Sequence, residues 1–377
     1  MNYYEKSLQL HQEHNWKLET ISKVPVRNQE DLSTAYSPWV AAPCQEIQKN
    51  KENIYNYTLK WNTVAVISDW SAVLWLWNIW DKASLPVMEG KCVLFKEFGG
   101  INAFPIILNT QDPEQIITTI KTISNWFWWI NLEDISAPNC FYIEQRLKEE
   151  LDIPVFHDDQ HWTAIVTLAG LINWLKITWK KKEEIKVVIN WLGAAGVAIV
   201  KLLKSFWVKD IIVCDSKGII SSQRTDLNEE KKKILKITNQ EDIQWTLSNA
   251  CLNKDVFIWV SVWNALTTED VESMNKDPMI FAMANPTPEI MPEDAKKAWA
   301  KIIATGRSDY PNQLNNVLVF PWVFKWALAN KVRTITEEMK LNAAKSLAEH
   351  ISNPTPEQII PSPLDKTVSK TIAKNIL

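Results

Sequence analysis

A chain of 377 residues with 21 tryptophans and only 8 glycines is short of the residue that tight turns need most. Globular proteins carry glycine at roughly 7% of positions; here tryptophan and glycine together, 29 of 377 residues, come to about 7.7%. The tryptophans also stand where glycine chemistry is expected. Ser37-Pro38-Trp39 reads as a turn, Asp69-Trp70-Ser71 follows a strand, and Phe206-Trp207-Val208 lies between a helix and the next strand. Tryptophan reaches positive φ only at a cost, and its indole keeps the backbone from closing on a ligand. An aromatic-rich core is the plainer explanation. Against it, Trp75, Trp77 and Trp80 crowd six positions and Trp126, Trp128 and Trp129 crowd four, with no packing period. The expectation is that many of these tryptophans stand for glycine. One route is a genetic code in which UGA means glycine but was translated as tryptophan. Tryptophan at 191 and 39 in the native chain would refute it.

The remaining composition excludes several classes. Lys plus Arg is 41 and Asp plus Glu is 44, so the net charge of −3 offers no electrostatic reason for nucleic acid or a membrane surface as partner. The first fifteen residues are polar and lack a signal-peptide layout, and no apolar run reaches membrane-spanning length. Five scattered cysteines, never spaced as CxxC, fit reduced thiols in a cytoplasm and exclude a disulfide scaffold or a Cys-rich zinc site.

From Thr63 onward, short β-rich runs alternate with helical patterns, the signature of an α/β protein with largely parallel strands. Strands are expected at 63–69, 103–109, 130–134 and 153–158, then at 185–189, 210–215, 255–260, 279–284 and 301–305. Helical spacing covers His161–Leu175, Ala194–Ser205 and Thr336–Ile351, with a polar stretch from Ser221 to Asn239. A domain boundary is expected near residue 160.

Two constellations carry chemistry. Val187 to Gly196 is a buried strand running through a loop into a helix. With glycine at 191, Trp191-Leu192-Gly193-Ala194-Ala195-Gly196 becomes G-x-G-x-x-G, and Asp215 follows at the next strand end. Such a turn lets a pyrophosphate sit on the helix N-terminus while the acid accepts from the ribose hydroxyls. A tight turn without ligand is the alternative. Acids cluster in Asn131-Leu132-Glu133-Asp134-Ile135 and His157-Asp158-Asp159-Gln160-His161, both at the C-terminal ends of expected parallel strands. Converging there, three carboxylates would suit a hard divalent ion such as Mg²⁺ or Mn²⁺; helix capping is the equal alternative. His157 and His161 lack the Glu of HExxH and read as structural or supporting groups. Tyr36 before Ser37-Pro38 and Lys91 after Glu89-Gly90 could act as acid and base, but alone read as a turn tyrosine and a surface lysine.

Taken together and in order, Tyr36–Pro38, Pro86–Lys91, Asn131–Ile135, His157–Ala164, Phe281–Pro288 and Asn315–Val323 resemble the malic enzymes of the short bacterial type, over roughly residues 16 to 350. Where that family carries glycine, this chain shows Trp39, Trp70, Trp75, Trp77, Trp80, Trp162, Trp191, Trp259, Trp263 and Trp322. The resemblance implies an N-terminal α/β catalytic domain over 1–160 and a Rossmann-type NAD(P)-binding domain over 161–377, in a cytoplasmic homodimer. It implies oxidation of (S)-malate by NAD(P)⁺ and decarboxylation to pyruvate. Lys91 would be the base at the carbon 2 hydroxyl, its pKa lowered beside a metal, and Tyr36 the acid that protonates carbon 3. Glu133, Asp134 and Asp159 would hold the metal. Asp158, placed on the other strand face by the period of 2, would support Lys91, and Asn285, Asn315 and Asn316 would bind malate. Asp215 favours NAD⁺ over NADP⁺, with Ser216 and Lys217 as the complication. A malolactic reaction yielding lactate, or an inactive dinucleotide-binding protein if the tryptophans are real, are the alternatives.

Overall fold

The computed structural model describes residues 2–14, 17–259 and 266–375; Val260 and Trp263 lie outside the described residues. Two parallel sheets organise the chain. The first, in the order β2-β1-β3-β4, consists of β1 (Thr63–Ser68), β2 (Asn102–Ile107), β3 (Trp129–Leu132) and β4 (Val155–His157). All six residues of β1 are buried, as a central parallel strand covered on both faces requires. Val64 pairs with Asn102's neighbour Ala103 on one side and with Trp129 on the other, so β1, β2 and β3 all end on the same edge.

The second sheet runs β10-β9-β8-β5-β6-β7. Its strands are β5 (Lys186–Asn190), β6 (Asp210–Asp215), β7 (Gly218–Ile219), β8 (Val256–Trp259), β9 (Met279–Ala282) and β10 (Ile302–Thr305). Strand order reverses between β5 and β8, which is where doubly wound sheets open a crevice for ligands. All nine expected strands form. The tenth, β7, escaped the sequence reading because two residues paired antiparallel to β6 leave no periodic signal.

The helix Asp158–Thr178 joins the halves. It starts directly at the end of β4, with Asp158 and Asp159 in its first turn, where the helix dipole favours negative charge. Thirteen of its 21 residues are buried, so it is apolar nearly all round, and it packs on the helices Ala194–Ser205 and Glu337–Glu349. Val64 and Val66 of the first sheet and Val187 and Ile189 of the second belong to one continuous core. The boundary expected near residue 160 therefore falls inside the first turn of a continuous helix.

Tryptophan occupies positions with the backbone of glycine. Among the described residues, fifteen non-glycine residues have positive φ, and seven are Trp70, Trp77, Trp179, Trp191, Trp207, Trp245 and Trp299. Six of the other eight are Asn or Asp, which tolerate that region. Trp179 closes the helix Asp158–Thr178 in the left-handed conformation, the position helices usually give to glycine, with its indole 91% exposed. Trp299, at φ 68° after the helix Pro292–Lys297, is 81% exposed. Neither ring is buried enough to offset the strain. Trp179→Gly and Trp299→Gly are each expected to raise stability by about 1 kcal/mol, the cost of the left-handed region less the greater flexibility of unfolded glycine. A urea midpoint that rises at unchanged slope checks this; a fall would show that the indoles stabilise the chain.

Candidate active site

The C-terminal ends of β3 and β4 bring the acids together. Glu133 and Asp134 follow β3, and Asp158 and Asp159 open the helix after β4. One ligand oxygen from each of Glu133, Asp134 and Asp159 lies within 4.8 Å of the others. Asp159 Oδ2 accepts from the Asp134 backbone N–H at 3.0 Å, which ties the two loops. Asp134 itself sits at φ 55° and is buried.

Lys91, on the helix Asp81–Leu94, reaches into the same pocket. Its Nζ lies 2.7 Å from Asp158 Oδ1 and 3.1 Å from Glu133 Oε1, and 4.3 Å from the centre of the Phe320 ring. Burial pushes its pKa down, but Asp158 and Glu133 more than offset this and hold the ammonium above its ordinary value. This corrects the expectation of a lowered pKa: with two carboxylates in contact, lysine is held as a cation. Asp158 does meet Lys91, though for a different reason than the strand period. Both aspartates lie in the first helical turn, and successive helical residues point about 100° apart. Asn316 Nδ2 donates to Asp158 Oδ2 at 3.1 Å, and Thr163 Oγ1 donates to Asn316 Oδ1 at 3.3 Å. The Asn315 side-chain Oδ1 caps the short helical turn Asn316–Leu318 by accepting from the Val317 N–H.

A cleft of about 790 Å³ runs from Asp134, Asp159 and Thr163 to Asp215, Ser216 and Lys231, and its floor is the turn Trp191 to Ala195. Asn285 lines it too. The turn has the shape expected of a nucleotide cradle. Gly193 caps the helix Ala194–Ser205, and a side chain at 196 would come within 2.3 Å of the Trp191 carbonyl oxygen. Trp191 itself, at φ 80°, projects its indole beside Gly193 and 6.2 Å from the Trp77 ring.

Asp215 ends β6 as expected, but its oxygens are already engaged. Arg224 donates to both at 2.6 and 3.0 Å, Lys231 Nζ lies 2.5 Å from Oδ2, and the Lys217 N–H donates to Oδ1 at 2.9 Å. Burial acts to raise its pKa, and Arg224 with Lys231 outweighs that and lowers it. The Lys217 side chain turns away to Asp226. Arg224 and Lys231 were missed in the sequence; the only trace was their basic charge in the polar stretch after Asp215.

Three residues stand outside the cleft. The Tyr36 side chain is 71% exposed at the end of the helix Gln29–Ala35 and does not line the cavity. His161 turns to Glu144 (2.9 Å) and Lys340 (3.0 Å), and burial lowers its pKa to about 4, so it is a neutral structural group. His157 is fully buried.

Family models for the malic enzyme N-terminal domain and the malic enzyme NAD-binding domain match residues 15–148 and 161–377. The chain is 53% identical to the bifunctional malic/malolactic enzyme of Bacillus subtilis, over 100% of this chain and 92% of that protein. It is 50% identical to the NAD-dependent malic enzyme of Geobacillus stearothermophilus, over 96% and 76%. The crystal structure of the NAD-dependent malic enzyme of Thermotoga maritima superposes with a TM-score of 0.95, at 47% identity and 98% coverage of both chains. This chain is a member of the malic enzyme family.

In this malic enzyme the acidic pocket fits a divalent cation on its own chemistry. Burial first, and then the neighbouring charges of Asp158 and Asp159, hold Glu133 and Asp134 well above the usual carboxylate range. Asp134 Oδ2 is buried without a hydrogen-bond partner. A hard cation would satisfy that oxygen and relieve the crowding. Carboxyls whose pKa values rise on folding bind protons more tightly when folded. Their contribution is full below the unfolded value near roughly 4 and is lost as pH rises through the folded values. Chelator-treated protein is therefore expected to lose thermal stability as pH rises above the ordinary carboxylate range. Mn²⁺ at a hundred times its dissociation constant should restore about 2.7 kcal/mol there. Asp134→Asn should stabilise the chelated protein at high pH and abolish the Mn²⁺ response; a retained response would remove Asp134 from the site.

Proposed function

We propose that this protein oxidises (S)-malate with NAD(P)⁺ and decarboxylates the product to pyruvate and CO₂, as a cytoplasmic homodimer requiring Mg²⁺ or Mn²⁺. One observation carries the reading: a single cleft runs from Asp134 and Asp159, members of the acid cluster that also meets the buried Lys91, to a dinucleotide-type strand–turn–helix.

Glu133, Asp134 and Asp159 would hold the divalent ion, which supplies Lewis-acid polarisation of the substrate oxygen and stabilises the enolate charge. Lys91 would first release its ammonium proton to water and, as the neutral amine, take the proton from the carbon 2 hydroxyl. Asp158, locked by Asn316, positions the Lys91 amine. Asn285, Asn316 and the free amide of Asn315 offer N–H donors for malate carboxylates. Tyr36 delivers the proton to carbon 3 of the enol. The turn Trp191-Leu192-Gly193-Ala194-Ala195-Gly196 would seat the pyrophosphate, and Asp215 the adenosine ribose.

The preference for NAD⁺ is narrow. A 2′-phosphate would meet the charge of Asp215, yet Arg224 and Lys231 are already there to compensate it. The Bacillus subtilis relative is described as both malic and malolactic, so lactate is the second reading. With malate, NAD⁺ and Mn²⁺ the purified enzyme is expected to release pyruvate and free NADH. Lactate without free NADH would favour the second reading, and neither product would overturn both. Lys91→Ala should lower malate oxidation by about 10²- to 10⁴-fold with nucleotide binding intact. Arg224→Ala should cut kcat/KM with NADP⁺ about tenfold more than with NAD⁺, roughly 1.4 kcal/mol.

A further inference from the structure

Asp134 has a backbone that its own residue type does not secure. It follows β3 at φ 55°, a region that aspartate tolerates but that persists only where the surroundings fix it. Ile67 of β1 pairs with Leu132 of β3, so Asp69 and Asp134 each stand two residues past that pair on neighbouring strands. The chain leaving β1 therefore runs beside the chain leaving β3, and two hydrogen bonds tie them. The Ala72 N–H donates to the Asp134 carbonyl oxygen at 2.9 Å, and the Ser136 N–H donates to Ser71 Oγ at 2.8 Å.

Asp69 sets up both ties. Its Oδ1 accepts from the Ser71 hydroxyl at 2.5 Å and from the Ser71 N–H at 3.1 Å, which closes a turn around Trp70. With its hydrogen committed to Asp69, the Ser71 oxygen can meet Ser136 only as an acceptor. Gln111 Nε2 anchors the start of the turn by donating to the Asp69 carbonyl oxygen at 3.2 Å. Stability alone does not explain a carboxylate here. Asp69 is 1% exposed and its Oδ2 meets no partner, a combination that costs the fold. Burial pushes its pKa up, and the bonds from Ser71 only partly oppose that.

We infer that Asp69 and Ser71 are positioning residues, a brace that holds residues 134–136 so that the Asp134 carboxylate is in place before a divalent cation arrives. This rests on the reading of Glu133, Asp134 and Asp159 as the metal site. The Asp134 N–H is also held by Asp159, but Asp159 is a member of that same acid cluster. Ser71 and Ala72 lie outside the cluster, so their bonds stand whether the cation is bound or released. Supporting bonds of this kind fix the direction of a ligand and through it the affinity for the metal. Ala72, Asp134 and Ser136 all line the cleft, so the brace also joins its wall to the acids.

Mn²⁺ binding to chelator-stripped protein, read from the electron paramagnetic resonance of the free ion, tests this without turnover. Ser71→Ala and Asp69→Ala should each weaken binding by about tenfold or more. Asp69→Asn keeps the Oδ1 acceptor and should bind Mn²⁺ about as tightly as the unmodified chain. Ser136 is only half-buried, so its released N–H can reach water, and metal-free Ser71→Ala should melt at an unchanged temperature. In steady state the KM for Mn²⁺ should rise by the same factor while the KM for NAD⁺ stays where it was. Unchanged Mn²⁺ affinity in Ser71→Ala and Asp69→Ala would overturn the inference. So would equal weakening in Asp69→Asn and Asp69→Ala, which would make the charge rather than the bond the cause. A metal-free melting temperature that falls in step with the affinity would reduce the brace to a structural role and overturn it too. Should Asp69→Ala not fold, Ser71→Ala and Asp69→Asn decide between these outcomes. An unmodified chain that binds no Mn²⁺ would instead reject the metal reading itself, and the inference with it.

Discussion

The contact between Lys91 and the carboxylates of Asp158 and Glu133 is what the rest of the molecule is arranged around. An ammonium and four acids packed into one buried pocket are costly unless each charge is answered, and the fold answers them from three directions. The helix Asp81–Leu94 brings the lysine, β3 brings Glu133 and Asp134, and the N-terminus of the helix Asp158–Thr178 brings the two aspartates. The dipole of that long helix favours its two acids, and Asn316 arrives from far along the chain to fix Asp158. The surplus of negative charge that remains is what a divalent cation bound there would neutralise.

The same helix sets the distance between chemistry and nucleotide. It is buried along most of its circumference and packs on the helix that opens at the nucleotide turn, so the acid pocket and the turn are held on one rigid frame. At the far end of the cleft, Asp215 has the opposite character from the acids near Lys91. It is over-compensated by Arg224 and Lys231, which lowers its pKa where burial has raised those of Glu133 and Asp134. One cleft thus has an electron-rich end suited to a cation and an end whose acid is already neutralised, suited to a phosphate or ribose.

The tryptophans act against this arrangement. Among the described residues seven of them take a positive φ, and Trp39, read from the sequence as a turn residue, and Trp207, read as lying between a helix and a strand, are both exposed. An indole at such a position gains little from burial and bears the steric cost of its Cβ. At Trp191 the conflict reaches the site, since the turn closes tightly enough to exclude any side chain at 196 while an indole stands beside Gly193. The fold and the residue type disagree there: the turn has a glycine's backbone, with Trp191 at φ 80°.

Much was legible without coordinates. Nine strands, the strand–turn–helix at 187–196 and the four acids could be found because periodicity and strand-end chemistry are local properties. The short strand β7, the basic pair Arg224 and Lys231, and the Asn316 link to Asp158 were not legible, because each depends on contacts that sequence distance does not report. Lys91 illustrates the division best. Its presence beside Glu89-Gly90 could be read from the chain, but its charge state could not, since that is decided by Asp158 and Glu133 arriving from elsewhere. By itself the sequence determined the alternation of strands and helices, the nucleotide-type turn and the strand-end acids, because those follow from local pattern, whereas Lys91 and Tyr36 stood out only through the family resemblance. Only the tertiary structure decided which groups meet, which carboxyls titrate high or low, and that Tyr36 stands apart from Lys91, because electrostatics and exposure depend on packing in three dimensions.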